Sequence, residues 1–400
     1  MIAILKREWK SYFQNITGWL FIAAVLALYG LYFLAYNLRA GYPYVSYTLS
    51  AISFIMLIAV PILTMRSMAE ERHSRTDQLV LTAPVSLGKM IFGKFLAMVG
   101  VFTVAVAVIA VTPLVLAAFG TVPMGENYVA VLGFWLYGCT CIAVGMLASA
   151  LTESQVIAAV VAFAFLFLGY MMNSITGLIG DHLITKVLGA YDLYTPLQSF
   201  MSGCLDLTGV VYFVSVTGLC LFLTCQCVQK RRWSMTTKKL TTGMFSVAMI
   251  VVGFAVAVAV NMVVKEMPSS WTAVDATSTK LYSLTDTTKD YVKNLSQDVT
   301  IYVLSSEKSA DSTLAETLQR YEDLSKHLNV VYKDPAKSPN FYQQYTDSAP
   351  SQNSMIVVSD ARSRVVDYSD VYEYSYDYST YSSSVDGYDA EGQLTSALQY

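Results

Sequence analysis

The chain has 400 residues, of which 54% are hydrophobic and only 14% are charged, too few charged side chains to cover a soluble protein of this size. The net charge of −3 conceals two opposite parts: residues 1–265 hold 16 basic and 9 acidic residues, and residues 266–400 hold 10 basic and 20 acidic residues. The composition therefore excludes a wholly soluble protein and predicts a membrane part followed by an acidic part in water.

Residues 2–14 precede the first long apolar run and predict an amphipathic helix. One face carries apolar and aromatic side chains at helical spacing and the other carries lysines: Leu5, Trp9, Tyr12 and Phe13 on the first, Lys6 and Lys10 on the second. Such a helix is suited to lie in the inner membrane surface. An ordinary basic flank with aromatic anchors is the alternative.

Seven apolar runs are each long enough to cross the ~30 Å hydrocarbon core as a helix. They lie at about residues 17–37, 47–65, 95–119, 127–151, 155–178, 207–228 and 240–264. Lysine and arginine concentrate at the chain start, between the second and third runs, and before the seventh run. The alternate loops hold only Arg39 and Lys186. The positive-inside rule then predicts a multi-pass protein with a cytoplasmic N-terminus and an outer C-terminal domain.

No catalytic motif is visible in the chain. It has no Gly-x4-Gly-Lys-Ser/Thr phosphate loop, no His-Glu-x-x-His zinc motif and no Gly-x-Ser-x-Gly nucleophile motif. We therefore predict no catalytic residue, no metal site and no cofactor bound by the chain itself. Asn173 is the most prominent polar residue within a run. An interhelix hydrogen bond is its simpler role, and a place on a substrate pathway is the alternative.

The polar loop between the second and third runs, residues 66–94, is the most distinctive segment. A short helix over 76–81, begun by Ser74 or Thr76 and stopped by a proline, would present an apolar knob ringed by charges. Such a helix is suited to docking into a groove on a soluble partner, although a solvated charged loop explains the pattern nearly as well. The residues concerned are Glu70, Glu71, Arg72, Thr76, Asp77, Leu79, Leu81 and Pro84.

This loop resembles the coupling segment of type-2 ABC exporter permeases. The run Glu-Glu-Arg-x-x-x-Thr-Asp-Gln-Leu-x-Leu-Thr-x-Pro at residues 70–84 is similar to their usual Glu-x-Arg-x-x-Gly-Thr-Glu-x-Leu-Leu-x-x-Pro, with Arg75 where glycine is common and Asp77 in place of glutamate. Residues 5–19 resemble that family's N-terminal interfacial helix and first span. Residues 194–213 resemble the segment before the sixth span in gliding-motility-type permeases.

The resemblance implies a membrane all-α fold: a six-helix permease domain over 1–233, then a linker and seventh transmembrane helix over 234–265. In that family two permease units and two cytoplasmic ATPases form one transporter. The expected partners are therefore a cytoplasmic ABC ATPase, which would bind ATP and Mg, and a second permease copy of the same or another sequence. The helices are expected to lie in the lipid bilayer of a bacterial cytoplasmic membrane, and no nucleic acid is expected.

Residues 266–400 predict an extracytoplasmic α/β domain. A helix capped by Thr285 would run to about 295, followed by a strand at 299–303, a helix at 312–327, and strands at 329–332, 354–359 and about 364–367. This order suggests a largely parallel sheet. Residues 368–388 carry seven tyrosines. A mobile acidic insertion is the simpler interpretation there, and an edge strand over 372–378 or a stacking surface for a ligand are the alternatives.

The tail also carries a resemblance. The run Asp-x-Thr-x-x-Lys-x-Tyr-Ser-Leu at residues 275–284 is similar to the extracytoplasmic auxiliary protein that accompanies gliding-motility-type permeases. The likeness covers roughly 240–400 and implies that permease and auxiliary part are fused in one chain. That family continues well beyond this length, so we expect either a chain truncated at Tyr400 or an incomplete auxiliary domain.

Two functions of different classes remain open. The first is an export permease, driven by a partner ATPase, for a hydrophobic or polymeric substrate. The second is a polytopic anchor that presents an extracytoplasmic binding domain and transports nothing. The loop at 70–84 discriminates between them, because only the first function requires an ATPase docked on it.

Overall fold

The computed structural model describes residues 2–74, 86–179, 188–231, 239–265, 267, 272–275, 284–295, 297–306, 309–359, 362–377 and 382–400. The chain divides into two compact units, Met1–Met267 and Pro268–Tyr400. The first unit holds the long apolar helices and the second holds the four-stranded sheet, so each is considered by itself.

The first unit is helical throughout most of its described length. Its elements are α1 (Ile2–Gln14), α2 (Ile16–Phe33) with a π-helical continuation (Leu34–Arg39), α3 (Ser46–Thr64), α4 (Arg66–His73), α5 (Leu87–Ile109), α6 (Thr112–Ala117), α7 (Met124–Leu151), α8 (Gln155–Ile179), α9 (Tyr194–Met201), β1 (Cys204–Asp206), α10 (Leu207–Arg231) and α11 (Lys239–Lys265). Within the described residues, seven helices are long and apolar enough to cross a membrane. The prediction of a membrane all-α domain is confirmed.

Helix α7 occupies the centre of the first unit. Of its most apolar stretch 78% is buried, against 28% for α2 and for α8. It packs against α3, α5, α8, α9 and α10. Residues 138–150 of α7 are mostly glycine, alanine, serine, threonine and cysteine, and small side chains let helix backbones approach closely in a bilayer. This helix is therefore the surface on which the other spans are assembled.

The second unit is a small α/β domain. Its elements are β2 (Ala273–Asp275), α12 (Asp286–Lys293), β3 (Val299–Val303), α13 (Ser312–Leu324), β4 (Leu328–Tyr332), a 3-10 helix (Phe341–Gln344), β5 (Met355–Ser359), β6 (Ser363–Val366), a second 3-10 helix (Tyr368–Asp370), β7 (Tyr372–Asp377), β8 (Ser382–Tyr388) and α14 (Ala390–Gln399). Alternate residues of β3 are buried, and the core also takes in Val292 of α12, Leu318 of α13 and Leu394 of α14. The predicted α/β class is confirmed.

The expectation of a largely parallel sheet is wrong. The strand order is β4-β3-β5-β6, and only β3 and β4 are parallel; β5 runs antiparallel to β3, and β6 runs antiparallel to β5. A helix connects β3 to β4, as a parallel crossover requires. The connection from β4 to β5 holds only the 3-10 helix Phe341–Gln344. The chain therefore re-enters the sheet at the same end of the strands, on the other side of β3, and runs back.

The tyrosine-rich segment forms a hairpin. Strands β7 and β8 pair antiparallel with Tyr372 opposite Tyr388, and the register shifts between Glu373 and Tyr374. The alternative of a strand near 372–378 is therefore confirmed, although its partner is β8 rather than the four-stranded sheet. The simpler interpretation, a mobile acidic insertion over 368–388, stays a prediction; what the structure adds is that 372–377 pair with 382–388.

Asp367 joins β6 to the loop before β5. Its carboxylate accepts hydrogen bonds from the hydroxyl and amide of Ser351, at 2.7 and 3.1 Å, and from the amide of Ser369 at 3.0 Å. Partial burial by itself would raise the pKa of Asp367, but the hydrogen bonds from Ser351 and Ser369 outweigh it and hold the pKa well below its usual range. The ionised form therefore stabilises the folded domain.

We expect this stabilisation to disappear in acid. A carboxyl group whose pKa is depressed by folding stabilises the fold above its unfolded pKa, about 3.9 for aspartate, and loses that contribution as the pH falls through the folded value. Hydrogen-exchange protection of residues 355–366 should therefore fall below about pH 4, and Asp367→Asn should lower it at neutral pH and flatten the pH dependence. Asp347→Asn, an exposed residue nearby, is the control. Equal pH dependence in wild type and Asp367→Asn would contradict the assignment.

Candidate functional site

The polar segment singled out in the sequence begins on α4, which continues the second long helix after a break at Met65. A helix start leaves backbone amides without partners inside the helix. Here the hydroxyl of Ser149 in α7 accepts from the amides of Met68 and Ala69, at 3.1 and 3.0 Å. The same hydroxyl donates to the Met65 carbonyl at 3.0 Å. Ser149 is fully buried, so α7 fixes where α4 starts.

A glycine one turn earlier on α7 lets the break lie close to this helix. A Cβ built on Gly145 would overlap the hydroxyl of Thr64, the last residue of α3, and would lie 2.9 Å from the Thr64 Cβ. Thr64 is fully buried and donates to the Val60 carbonyl at 3.0 Å. Small residues four apart, as Gly145 and Ser149 are, favour close helix packing. The position of α4 therefore depends on the absence of a side chain at Gly145.

Four charged residues meet behind α4, and we call them the Glu71 cluster: Arg7, Glu8, Glu71 and Lys94. The Lys94 ammonium lies 2.6 Å from a Glu71 carboxylate oxygen and donates to the Ser67 carbonyl at 2.9 Å. Glu8 lies 3.9 Å from the same ammonium, and Arg7 lies 2.6 Å from Glu8 and 3.7 Å from Glu71. The cluster therefore connects α1, α4 and α5.

Lys94 is only 3% exposed, and Glu71 is 22% exposed. A charge withdrawn from water is tolerated only where partners neutralise it and satisfy its hydrogen bonds. Lys94 has a carboxylate and a backbone carbonyl as acceptors, both on α4. The prediction that residues 66–94 form a loop before a span starting near 95 is wrong for 87–94, since α5 begins at Leu87 and buries Lys94.

Two further ion pairs hold α4. Arg66 forms a bidentate pair with Glu70 on the next turn, at 2.8 and 2.9 Å, and donates to the Thr17 hydroxyl at 3.3 Å. Arg72 lies 2.7 Å from Glu153, in the turn between α7 and α8, and donates to the carbonyl of Leu151, the last residue of α7, at 3.3 Å. Helix α4 is thus connected to α1, α2, α5 and the α7–α8 turn.

The structure brings together only part of the predicted coupling segment. Glu70, Glu71 and Arg72 lie on α4, where each pairs within the membrane domain. Thr76, Asp77, Leu79, Leu81 and Pro84 lie outside the described residues, as does the short helix expected over 76–81. Of the three described residues, Glu70 has the most exposed side chain, at 45%. Glu71 faces inward, which assigns it to the internal cluster.

Helix α1 packs against α5 and the start of α2. The Trp9 ring lies against Gly100 of α5, and Phe13 contacts both Trp9 and Trp19, with ring centroids 5.2 and 5.4 Å apart. The Trp19 indole donates to the Phe13 carbonyl at 3.0 Å. Leu5, Tyr12 and Phe13 are half-buried, whereas Lys6 and Lys10 are exposed. An interfacial position for α1 stays a prediction. Its aromatic face contacts α5 and α2, and Trp9 remains 36% exposed.

Two buried amide side chains were not predicted from the sequence. They lie in the π-helical continuation of α2 and in the first turn of α7. Asn37 donates to the carbonyls of Tyr42 and Tyr44 at 2.8 and 3.1 Å. Asn127 accepts from the Val45 amide at 2.6 Å and donates to the Pro43 carbonyl at 3.1 Å. Both amides bind the backbone of the loop between α2 and α3. Polar residues at the ends of apolar runs were the signal that could have found them.

Asn173, the residue singled out for a substrate pathway, is half-buried in α8, and its backbone carbonyl accepts from the Thr176 hydroxyl at 3.1 Å. Its place on a pathway remains a prediction.

The burial of Lys94 could have been predicted from the apolar spacing of Leu87, Met90, Ile91 and Phe95. That spacing predicts a helix from 87 with residue 94 on its buried face.

The two units match two different protein families. Residues 39–228 match a family model described as ABC-2 family transporter protein. Residues 278–370 match a second model, described as Domain of unknown function (DUF7088). No match is found among curated proteins. The first match covers five of the seven long apolar helices and includes Glu71 and Lys94 of the Glu71 cluster. Together, the match and the helices support an ABC-2 type permease domain in the membrane part of this chain.

Proposed function

We propose that this chain is the permease subunit of an ATP-driven ABC exporter, coupling a partner ATPase to substrate movement across the cytoplasmic membrane of a bacterium. The observation that carries the proposal is the Lys94–Glu71 pair. It ties α4, from which the segment resembling a coupling segment continues, to α5, and through Glu8 to α1. A force applied to that segment would therefore reach the membrane helices.

The connections of α4 support this transmission in physical terms. Separating Lys94 from Glu71 would leave a nearly buried charge without its partner, which costs several kcal/mol. Separating Arg72 from Glu153 would cost less, because Glu153 is 62% exposed. A displacement of α4 should accordingly carry α5 with it more firmly than the α7–α8 turn.

The proposal assigns no nucleotide chemistry to this chain. The partner ATPase would hold ATP and Mg, and a second permease copy, identical or related, would complete the transporter. The N-terminus and residues 66–94 would face the cytoplasm, and residues 266–400 would lie outside as the auxiliary domain of the gliding-motility type. Outward labelling of residues 66–94 in intact cells would contradict this orientation and the docking with it.

Reversing charge on the proposed docking surface should release the ATPase. We expect Glu70→Arg combined with Asp77→Arg to abolish copurification of an ATPase subunit with the full chain. Both changes replace a carboxylate, which would contact a basic or polar groove on the ATPase, by a positive charge. Glu126→Arg, at the first turn of α7, is the control and should retain the ATPase.

A second control separates docking from folding. Because Glu70 also pairs with Arg66, the double variant Arg66→Glu with Glu70→Arg restores the pair inside α4 while keeping the reversed charge at position 70. Loss of the ATPase in this variant, with an unchanged elution volume in detergent, would support docking through position 70. If the Glu70→Arg, Asp77→Arg chain still copurifies with an ATPase and stimulates it, the proposed function is contradicted. Absence of any ATPase from the native complex would also contradict it, and is the result expected for a membrane anchor without transport.

A further inference from the structure

The second unit contains a cavity of about 320 Å³ that neither the fold nor the proposed transport explains. It lies at the end of the sheet where the parallel strands β3 and β4 finish and β5 begins. Its lining includes Leu304, Asp334, Pro339, Tyr342, Pro350 and Gln352. Crevices at the carboxyl ends of parallel strands are preferred positions for ligands, and small-molecule sites usually measure about 300–1,000 Å³.

The loop that forms the cavity, residues 333–354, is fixed to the sheet at both ends. The Lys333 amide donates to the Val303 carbonyl at 2.8 Å, and the Leu304 amide donates to the Ser354 carbonyl at 2.9 Å. In its middle, the Phe341 ring packs edge-on against Tyr302 of β3, with centroids 4.9 Å apart. Loops of this length inside a compact domain are uncommon, and functional loops are one of the two main classes among them, disordered or linker segments being the other. These contacts make the cavity a preformed feature of the fold.

The lining combines apolar walls with hydrogen-bond acceptors. Prolines 335, 339 and 350 and the Tyr342 ring supply flat apolar surface. One Asp334 carboxylate oxygen accepts from the Ala336 amide at 2.9 Å, and the described residues give the other oxygen no partner. No lysine or arginine is among the described lining residues, so the site disfavours anions. A neutral ligand that donates several hydrogen bonds and has an apolar ring face fits this lining.

We infer that this cavity binds a saccharide unit. The apolar face of a pyranose ring packs against Tyr342 and the prolines, while ring hydroxyls donate to Asp334 and to the Gln352 side-chain carbonyl. Recognition by one carboxylate and one aromatic ring gives weak affinity, in the range of about 0.1–10 mM. The inference is independent of ATPase docking, because none of its residues belongs to the membrane unit.

The test uses the full chain in lipid nanodiscs and measures saturation-transfer NMR and calorimetric titration. The probes are glucose, N-acetylglucosamine, maltose and N,N′-diacetylchitobiose, each to about 10 mM. At least one should bind, and Asp334→Asn and Tyr342→Ala should each weaken it at least about tenfold. Tyr342→Phe keeps the ring and should bind within about threefold of wild type. Asp347→Asn, an exposed residue of the same loop outside the lining, should leave binding unchanged.

Three outcomes would overturn the inference. They are no binding by any of the four saccharides, binding that both Asp334→Asn and Tyr342→Ala leave unchanged, and tighter binding of inorganic phosphate or of a lysine-containing peptide at the same residues. Because Tyr342→Ala removes a large side chain, hydrogen exchange of β3 and β5 must match wild type in that variant. Should it not match, Asp334→Asn decides the outcome, since it keeps the volume of the lining and is expected to weaken binding.

Discussion

Replacing Lys94 by methionine should lower the stability of the membrane domain by about 3–5 kcal/mol, because it leaves the Glu71 carboxylate without its main partner. Methionine is close to lysine in length and fills the same space, so the loss reports the charge rather than a cavity. The midpoint of thermal unfolding in detergent measures the effect. Lys89→Met is the matched control: Lys89 lies on the same helix but is exposed, and its replacement should change the midpoint little.

A double-mutant cycle tests the pairing itself. Glu71→Gln with Lys94→Met removes both charges, so the double variant should be more stable than Lys94→Met alone, with a coupling energy of about 1–3 kcal/mol. The same variants address the proposed transmission, since a complex that still binds its ATPase but no longer couples hydrolysis to transport is the expected functional result. Equal midpoints for Lys94→Met and Lys89→Met would show that Lys94 is not held by Glu71 in the protein.

Gly145→Ala should destabilise the membrane domain by about 1–3 kcal/mol, because the added methyl group overlaps the buried Thr64 side chain at the α3–α4 break. Threonine is β-branched and stiff, so relief requires α3 to move away from α7. That movement also weakens the contact of Ser149 with the start of α4. The thermal midpoint and the efficiency of ATPase copurification should fall together.

Gly30→Ala provides the matched control for this substitution. Gly30 lies within α2, and a Cβ built there meets no atom within 4 Å. Alanine should therefore keep or slightly raise the midpoint, because glycine in a helix interior costs up to about 1 kcal/mol relative to alanine. Equal effects of Gly145→Ala and Gly30→Ala would show that α7 and the α3–α4 break are not in close contact.

Several features of the fold could be predicted from the sequence. The seven long helices follow from apolar runs, which have one stable conformation in a bilayer because every backbone group must be bonded within its own segment. The helix at Thr285, the strand at 299–303 and the helix beginning near 312 follow from a cap and from periodicity. These are local signals, and in each case the residues that decide the structure are adjacent in the chain.

The arrangement of the sheet and the inner face of α4 could not be predicted in this way. The pattern of 299–359 fits parallel and antiparallel pairing equally, and the direction of β5 depends on where the loop 333–354 returns to the sheet. Glu70 and Glu71 are adjacent residues of the same type. Glu71 nevertheless pairs with Lys94 of α5, whereas Glu70 pairs with Arg66 on its own helix.

Hydropathy and periodicity act over short stretches of chain, so a membrane part with seven apolar helices and an α/β tail could be predicted from the sequence. Which charges of residues 66–94 face inward depends instead on tertiary packing. A buried ion pair forms between residues more than twenty positions apart, and it exists only where packing on Gly145 and Ser149 brings α4 and α5 together. Lys94 joins α5 to α4 because of long-range packing, which no local sequence pattern encodes.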